Sequence, residues 1–165
     1  MQKKLRFALR KTSERDIKQV LSLINKEARG TGALLLVRER ELRKWIAAGS
    51  SYVAVVRGEV VGHEAAYKWP KSGWIELRSA IVKEGYRGNG IYGSLSMYVI
   101  DRIRKRRKDA MIVALVNKSG QTRSMMRKAG FDVVAYDDVP KELFTIGPKY
   151  RGKKSFGYDI FLLKN

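Results

Sequence analysis

The stretch WIELRSAIVKEGYRGNGIYGSLSMYVIDRIRK, residues 74–105, constrains the fold more than any other part of the chain. It opens on an apolar run, WIELRSAIV, with the character of a strand. It then crosses Arg87, Gly88, Asn89, Gly90 and Gly93 and continues with Ile91, Leu95, Tyr98, Val99 and Ile103 at helical spacing. Glycines allow close approach of the backbone, and a helix start carries N–H groups with no internal partner. A strand, a glycine turn and a helix in that order make a seat for a phosphate or pyrophosphate. The turn is not a Walker loop, because no Lys-Ser/Thr pair follows the last glycine. Nor does it open a dinucleotide fold. SYVAVV and VVGHEAAY, joined at Arg57-Gly58-Glu59, read as a tight hairpin, so WIELRSAIV is the third strand of a meander and not part of a βαβ unit.

Around this centre the periodicity changes repeatedly. Leu5, Phe7 and Leu9 alternate as in a half-buried strand, and Thr12 and Ser13 offer capping hydroxyls to a helix with Asp16 in its first turn. Ile17, Val20, Leu21 and Ile24 form that helix's apolar face. Leu42, Trp45 and Ile46 form another, ended by Gly49. Downstream, MIVALV reads as a buried strand, Ser119 to Ala129 as a short helix stopped by Gly130, FDVVAY as a strand and FGYDIFLL as the last one. The intervening VPKELFTIGPKYRGKK reads as an irregular loop. No repeat or linker divides the chain, so residues 1–165 are expected to form a single domain.

Composition narrows the chemistry. With no cysteine among 165 residues, disulfides, thiolate metal sites and a cysteine nucleophile drop out. His63 is the only histidine, so a Ser–His pair or a metal site rich in histidine has one residue to draw on; no metal is expected. Alternation with Val61, Ala65 and Tyr67 makes it a packed histidine. No apolar run spans a membrane and no secretory signal core stands near Met1, so a cytoplasmic location is expected. The net charge is +19, unevenly spread: residues 1–50 carry 13 Lys/Arg against 5 Asp/Glu, residues 101–165 carry 16 against 7, and residues 51–100 carry 6 against 4. The phosphate seat lies in the near-neutral middle. The basic excess at either side points to nucleic acid, an acidic substrate or partner, or solubility.

The residues of the seat resemble the GNAT superfamily of acetyl-CoA-dependent N-acetyltransferases. The family's signature, Q/R-x-x-G-x-G/A at the start of the central helix, is matched at Arg87 and Gly90. Tyr92 replaces its small residue, and Gly93 follows one place later. Farther on, SGQTRSMMRKAGF is similar to the family's N-x-x-A-x-x-L-Y-x-K-x-G-F and keeps Lys128, Gly130 and Phe131. The resemblance implies an α+β fold of GNAT type, with a central, mostly antiparallel mixed sheet of about seven strands flanked by about four helices. It implies acetyl-CoA as co-substrate, held at Ile81, Val82, Arg87, Gly88, Asn89, Gly90, Ile91, Tyr92, Gly93 and Ser119. In similar proteins a bulge in the fourth strand frees backbone N–H groups for the acetyl oxygen, here around Ile81 and Val82. The acceptor would be a primary amine, and the protein a monomer or homodimer.

For the base, the resemblance points to Glu76, with Glu64 second; pairing of Glu76 with Arg78 is the alternative. The tyrosine that protonates the leaving thiolate in relatives is replaced by Met126, which has no proton to donate. Ser119, Ser124, Tyr136 or water are left for that task. Arg38, in GALLLVRERELRKWI, is similar to a carboxylate-binding arginine of amino-acid acetyltransferases, or else is a solvated charge at a helix start. Two kinds of acceptor stay open, a small amino-acid-like amine and an aminoacyl-RNA. Beside them stands a nucleic-acid-binding protein that keeps the fold without the reaction.

Overall fold

Arg57 (φ 49°) and Gly58 (φ 84°) are the two central residues of the turn that folds strand β2 (Ser51–Val56) back onto β3 (Glu59–Lys68). Left-handed φ at both positions gives the turn whose twist matches its strands. In this computed structural model, residues 5–30, 34, 36–117, 122–144 and 158–164 are described. The remaining strands are β1 (Ala8–Lys11), β4 (Ile75–Val82), β5 (Ile112–Asn117), β6 (Asp132–Val134) and β7 (Tyr158–Leu163). They form one seven-stranded sheet in the order β1-β2-β3-β4-β5-β7-β6. The β1–β2, β2–β3, β5–β7 and β6–β7 ladders are antiparallel, and β4–β5 is parallel, with Ile75 opposite Ile112 and Leu77 opposite Ala114. Four α-helices accompany the sheet among the described residues: α1 (Ile17–Gly30), α2 (Glu39–Ala47), α3 (Ile91–Arg106) and α4 (Thr122–Lys128). The α+β architecture and mostly antiparallel mixed sheet expected from the sequence are what the chain adopts.

Several local expectations are corrected. Thr12 does not cap α1; its hydroxyl is hydrogen-bonded to Ser51 Oγ at 2.7 Å. The entry to α1 is a 3-10 turn, Glu14–Asp16, fastened by Asp16: its Oδ2 accepts from the Ser13 N–H and hydroxyl, while Arg10 donates to both carboxylate oxygens. A buried acid so surrounded is expensive to ionise, yet these donors hold its pKa below the usual carboxylate range. β6 is shorter than FDVVAY suggested, because Tyr136 enters a 3-10 turn, Tyr136–Asp138, and stacks on Phe144 with ring centroids 4.2 Å apart. Within the expected irregular loop, a 3-10 turn, Lys141–Phe144, puts the Glu142 carboxylate against the backbone N–H groups of Lys71 and Ser72. Of the helix expected from Ser119, the described part begins at Thr122; Ser119 lies outside the described residues.

The chain divides into two compact units, residues 1–66 with 79–102, and residues 67–78 with 103–165. In the first, Ile17, Val20 and Ile24 of α1 and Leu42 and Trp45 of α2 pack with Val53, Ala65 and Ile81. Neighbouring strand residues point to opposite faces. Ala54, Val61 and Val82 therefore pack on the other face, with Ile91 of α3. A Cβ at Gly62 would lie 3.3 Å from both Ala54 Cβ and Ile91 Cγ2, so glycine there lets α3 begin close to the sheet. In the second unit, Trp69, Val113, Val139, Leu143, Phe144 and Ile160 form the core.

Candidate active site

The seat is built where β4 hands over to α3. After Val82 the chain makes a 3-10 turn, Glu84–Tyr86, passes Arg87 in extended geometry, and takes left-handed φ at Gly88 (81°) and Gly90 (75°) before α3 starts at Ile91. The first helical bond here is donated by Ser94 N–H to Gly90 C=O at 3.1 Å. The N–H groups of Ile91, Tyr92 and Gly93 thus have no backbone acceptor among the described residues and stand at the positive end of a four-turn helix. An added Cβ at Gly88 or Gly90 would meet nothing within 4 Å. Glycine is needed at both for the backbone's hand, and the ground beside them is open. Asn89 Nδ2 donates to the carbonyls of Tyr86 and Arg87 and closes the turn. A turn of this kind fits a pyrophosphate. Gly90→Val places a β-branched residue at φ 75°, and we expect it to weaken pyrophosphate-bearing ligands at least tenfold in calorimetric titration.

Each expected residue that falls within the described part of the chain has a definite place. Arg87 Nε donates to Val82 C=O at 3.0 Å, and Nη2 pairs with Glu27 Oε2 at 3.0 Å. Arg87 is thereby a staple that holds the turn onto the end of β4. The side chains of Ile81, Val82 and Ile91 are buried in the core. Tyr92, the departure from the family's small residue, turns its ring inward against the Val61, Val82 and Ile91 cluster, which leaves the loop clear. Met126 is buried at the base of α4, Ser124 is exposed, and Arg38 is exposed at the N-cap of α2.

The irregular point of β4 is Ser79, at φ 53°, two residues before the expected Ile81. A side chain of β3 bonds to its carbonyl. His63 Nδ1 donates to Ser79 C=O at 3.0 Å, which leaves Nε2 to accept from Ser51 Oγ at 3.0 Å, and Ser51 is bonded in turn to Thr12. The ring lies parallel to Trp45, 6.3 Å away, and is fully buried. Burial pushes its pKa down to about 4, so it is neutral near pH 7. His63 is a packed histidine, as its alternation suggested, with the further task of pinning the kink in β4.

Glu76 is also buried. Its Oε2 accepts from Trp69 Nε1 at 3.0 Å and from Arg78 Nη2, while Oε1 has no partner among the described residues. Arg78 lies over the Tyr67 ring, Cζ 3.9 Å from its centroid, and 5.5 Å from that of Trp69. The pairing of Glu76 with Arg78 is thus present through one oxygen, while the other has no partner among the described residues. Glu64, the second choice for the base, is on the opposite face of β3 from His63, under α3. Ser96 donates to its Oε1 at 3.2 Å, and its Oε2 is buried without a partner. Burial pushes its pKa up to about 8. Enclosed in this way, it is a structural acid and not a group that meets an acceptor. The roles of His63 at Ser79 and of Arg78 above Tyr67 escaped sequence reading. The i,i+2 spacing of Glu76 and Arg78 was the one available signal.

Comparison with known proteins places these features in a family. Residues 17–131 match the profile of the acetyltransferase (GNAT) family. No curated protein sequence matches the chain. Among solved structures, N-acetylglutamate synthase from Neisseria gonorrhoeae, complexed with coenzyme A and N-acetyl-glutamate, superposes with a TM-score of 0.77 at 19% identity; the match covers 98% of this chain and 36% of the synthase. This chain therefore spans about a third of that protein. A ribosomal-protein-alanine N-acetyltransferase from Brucella melitensis superposes with a TM-score of 0.70 at 22% identity, over 94% of this chain and 96% of that one. A putative acetyltransferase from Salmonella typhimurium, solved with acetyl-CoA, gives 0.73 at 19%, over 96% and 94%. Identities this low establish the shared fold, while the profile match over most of the chain establishes membership: this chain belongs to the GNAT family of acetyltransferases.

Proposed function

We propose that the chain moves an acetyl group from acetyl-CoA to a primary amine, acting as a single domain. The observation that carries this is the seat at the start of α3. Three N–H groups without a backbone acceptor among the described residues, two left-handed glycines and the staple Arg87 meet there after an apolar strand. The pyrophosphate would rest on Arg87, Gly88, Asn89, Gly90, Ile91, Tyr92 and Gly93, with Ser119 as a further contact and the pantetheine along β4. Acetyl-CoA supplies the acyl carbon, and its thiol is the leaving group. Backbone N–H groups at Ile81 and Val82, beyond the Ser79 kink, would donate to the acetyl oxygen as charge builds on it. Glu76 Oε1 would accept the proton that the amine gives up as its nitrogen bonds to the acyl carbon and the carbon–sulfur bond breaks. Water is the simplest proton donor to the departing thiolate, since Met126 is in the core. Cytoplasmic location and a monomeric or homodimeric state belong to the same reading. Among the described residues, no helix is long and apolar enough to cross a membrane.

The test is calorimetric titration of acetyl-CoA at low and moderate salt, on the wild type and on Arg87→Glu. Saturable one-to-one binding that survives salt, and falls at least tenfold in Arg87→Glu without unfolding of the protein, is the expected result. Binding that disappears with salt would instead reveal a basic surface attracting a polyphosphate. It would favour the second reading, a nucleic-acid-binding protein, which rests on the excess of Lys/Arg in residues 1–50 and 101–165.

A further inference from the structure

The ion pair of β4 has an unused side. Glu76 and Arg78 are two residues apart on one strand face, with side chains 8% and 14% exposed. One oxygen and one nitrogen of the pair are committed: Glu76 Oε2 takes both Trp69 Nε1 and Arg78 Nη2, while Arg78 Nε is buried with no hydrogen-bond partner. Their other atoms are not. Glu76 Oε1 and Arg78 Nη1 have no partner among the described residues, and neither is an enclosed orphan. The guanidinium is fixed before any ligand arrives, its plane by Tyr67 and its edge by Glu76. A half-buried arginine immobilised on an aromatic ring, with a donor turned outward, is an anion receptor with little entropy left to lose. Beside it stands one carboxylate oxygen able to take an ammonium. We infer that Arg78 is the residue that selects the acceptor, by binding a free carboxylate next to the amine that Glu76 receives, so that the acceptor is an α-amino acid and not an aminoacyl ester.

The inference rests on the acetyl-transfer reading and separates its two kinds of acceptor. In an amino acid, ammonium and carboxylate are one carbon apart and complement the outward atoms of the ion pair. In an aminoacyl-RNA that carboxylate is esterified and brings no charge to Arg78. An arginine left facing an uncharged ester loses the charge-assisted bond it is placed to make.

The experiment compares the common amino acids other than cysteine, whose own thiol would react, with their methyl esters and carboxamides as acceptors, following released coenzyme A with a thiol reagent. The chain has no cysteine of its own to react. At least one amino acid should exceed its own ester and amide at least tenfold in kcat/KM. In Arg78→Gln that preference, read as the ratio of acid to ester, should collapse through the KM of the acids. Arg78→Lys, which keeps the charge without the planar fork, should recover part of it and guards against a variant that fails to fold. Loss of the ion pair would act on Glu76 and slow acids and esters alike, so the ratio reports Arg78 alone. Esters used as well as acids, or a preference that survives Arg78→Gln, would overturn the inference while acetyl transfer stands. If acetyl-CoA binds but no acceptor releases thiol, the transfer reading fails. The Arg78 Nε–H resonance, assigned by its loss in Arg78→Gln, then decides: a shift with amino acids and not with esters supports the receptor, and no shift with either overturns it.

Discussion

Glu76→Gln should lower kcat by a factor of about 10² to 10⁴, the usual worth of a positioned general base, with acetyl-CoA affinity unchanged. The substitution is conservative where the fold is concerned. Glutamine keeps a carbonyl oxygen for Trp69 Nε1, so the aromatic support of Arg78 survives. What it removes is the carboxylate oxygen that has no partner among the described residues, Oε2 being taken by Trp69 and Arg78. Binding of acetyl-CoA should be insensitive because the seat is made of residues 87–93 and uses nothing from Glu76. The measurement is steady-state release of coenzyme A alongside calorimetry, with the amine concentration varied at several pH values. A variant with full kcat would show that the amine loses its proton to water, leaving Glu76 as the anchor of Arg78. In a variant that also fails to bind acetyl-CoA, the loss would be structural.

The second large effect concerns stability and follows from two buried groups at adjacent positions. Glu64 has its pKa raised from 4.5 to about 8, and His63 has its pKa lowered from 6.5 to about 4, both by burial. A raised folded pKa means stability present below 4.5 and lost as pH climbs through 8; a lowered one means stability present above 6.5 and lost as pH falls through 4. Between 4.5 and 6.5 the folded chain holds one proton on Glu64 and the unfolded chain holds one on His63. Their slopes cancel there. From 6.5 to 8 only Glu64 still holds a proton, and the folded state should lose about 2 kcal/mol. The other described groups with resolved shifts titrate outside this window. Asp16, Glu59 and Glu142 are lowered further from it, and Lys83, Tyr86 and Tyr92 are raised away from it.

Urea midpoints of the wild type should therefore be flat from pH 5 to 6.5 and fall toward pH 8.5. Glu64→Gln should show the opposite shape. Its stability should climb by about 3 kcal/mol between pH 4 and 6.5, as the unfolded chain's His63 loses its proton, and then stay level. The variant should also be more stable than the wild type at pH 8.5, because it buries no carboxyl that must hold a proton. Identical profiles for the two proteins would mean that Glu64 is hydrated or paired and not enclosed.

Much of this molecule was open to reading along the chain. Arg57-Gly58 announced a hairpin, the glycines after WIELRSAIV announced a turn into a helix, and the apolar periods of residues 17–24, 42–46 and 91–103 announced their helices. These are local matters, set by which residues tolerate left-handed φ and by which face an apolar side chain must turn inward. The glycine turn into α3 was legible for the same reason, since left-handed backbone and a helix start are specified by nearby residues.

Polar groups inside the sheet were another matter. Nothing in VVGHEAAY says that His63 grips the carbonyl of Ser79, sixteen residues away, or that Glu64 is sealed under α3 with one oxygen unpartnered. A strand's alternation tells which residues share a face, and a charged residue on either face reads as exposed until something covers it. β3 is covered on both sides. Ser13 and Thr12 show the same limit at closer range: both were plausible caps, and a neighbour on β2 claimed the hydroxyl of Thr12. By itself, then, the sequence determined the order of the elements and the turns, because these depend on residues close together in the chain. Only the tertiary structure decided where β4 kinks, which oxygen of Glu76 is paired and what holds Arg78. Those outcomes depend on partners from β2, β3 and β4 that meet only when the sheet has closed, in a setting where burial makes each polar pairing costly to leave unmade.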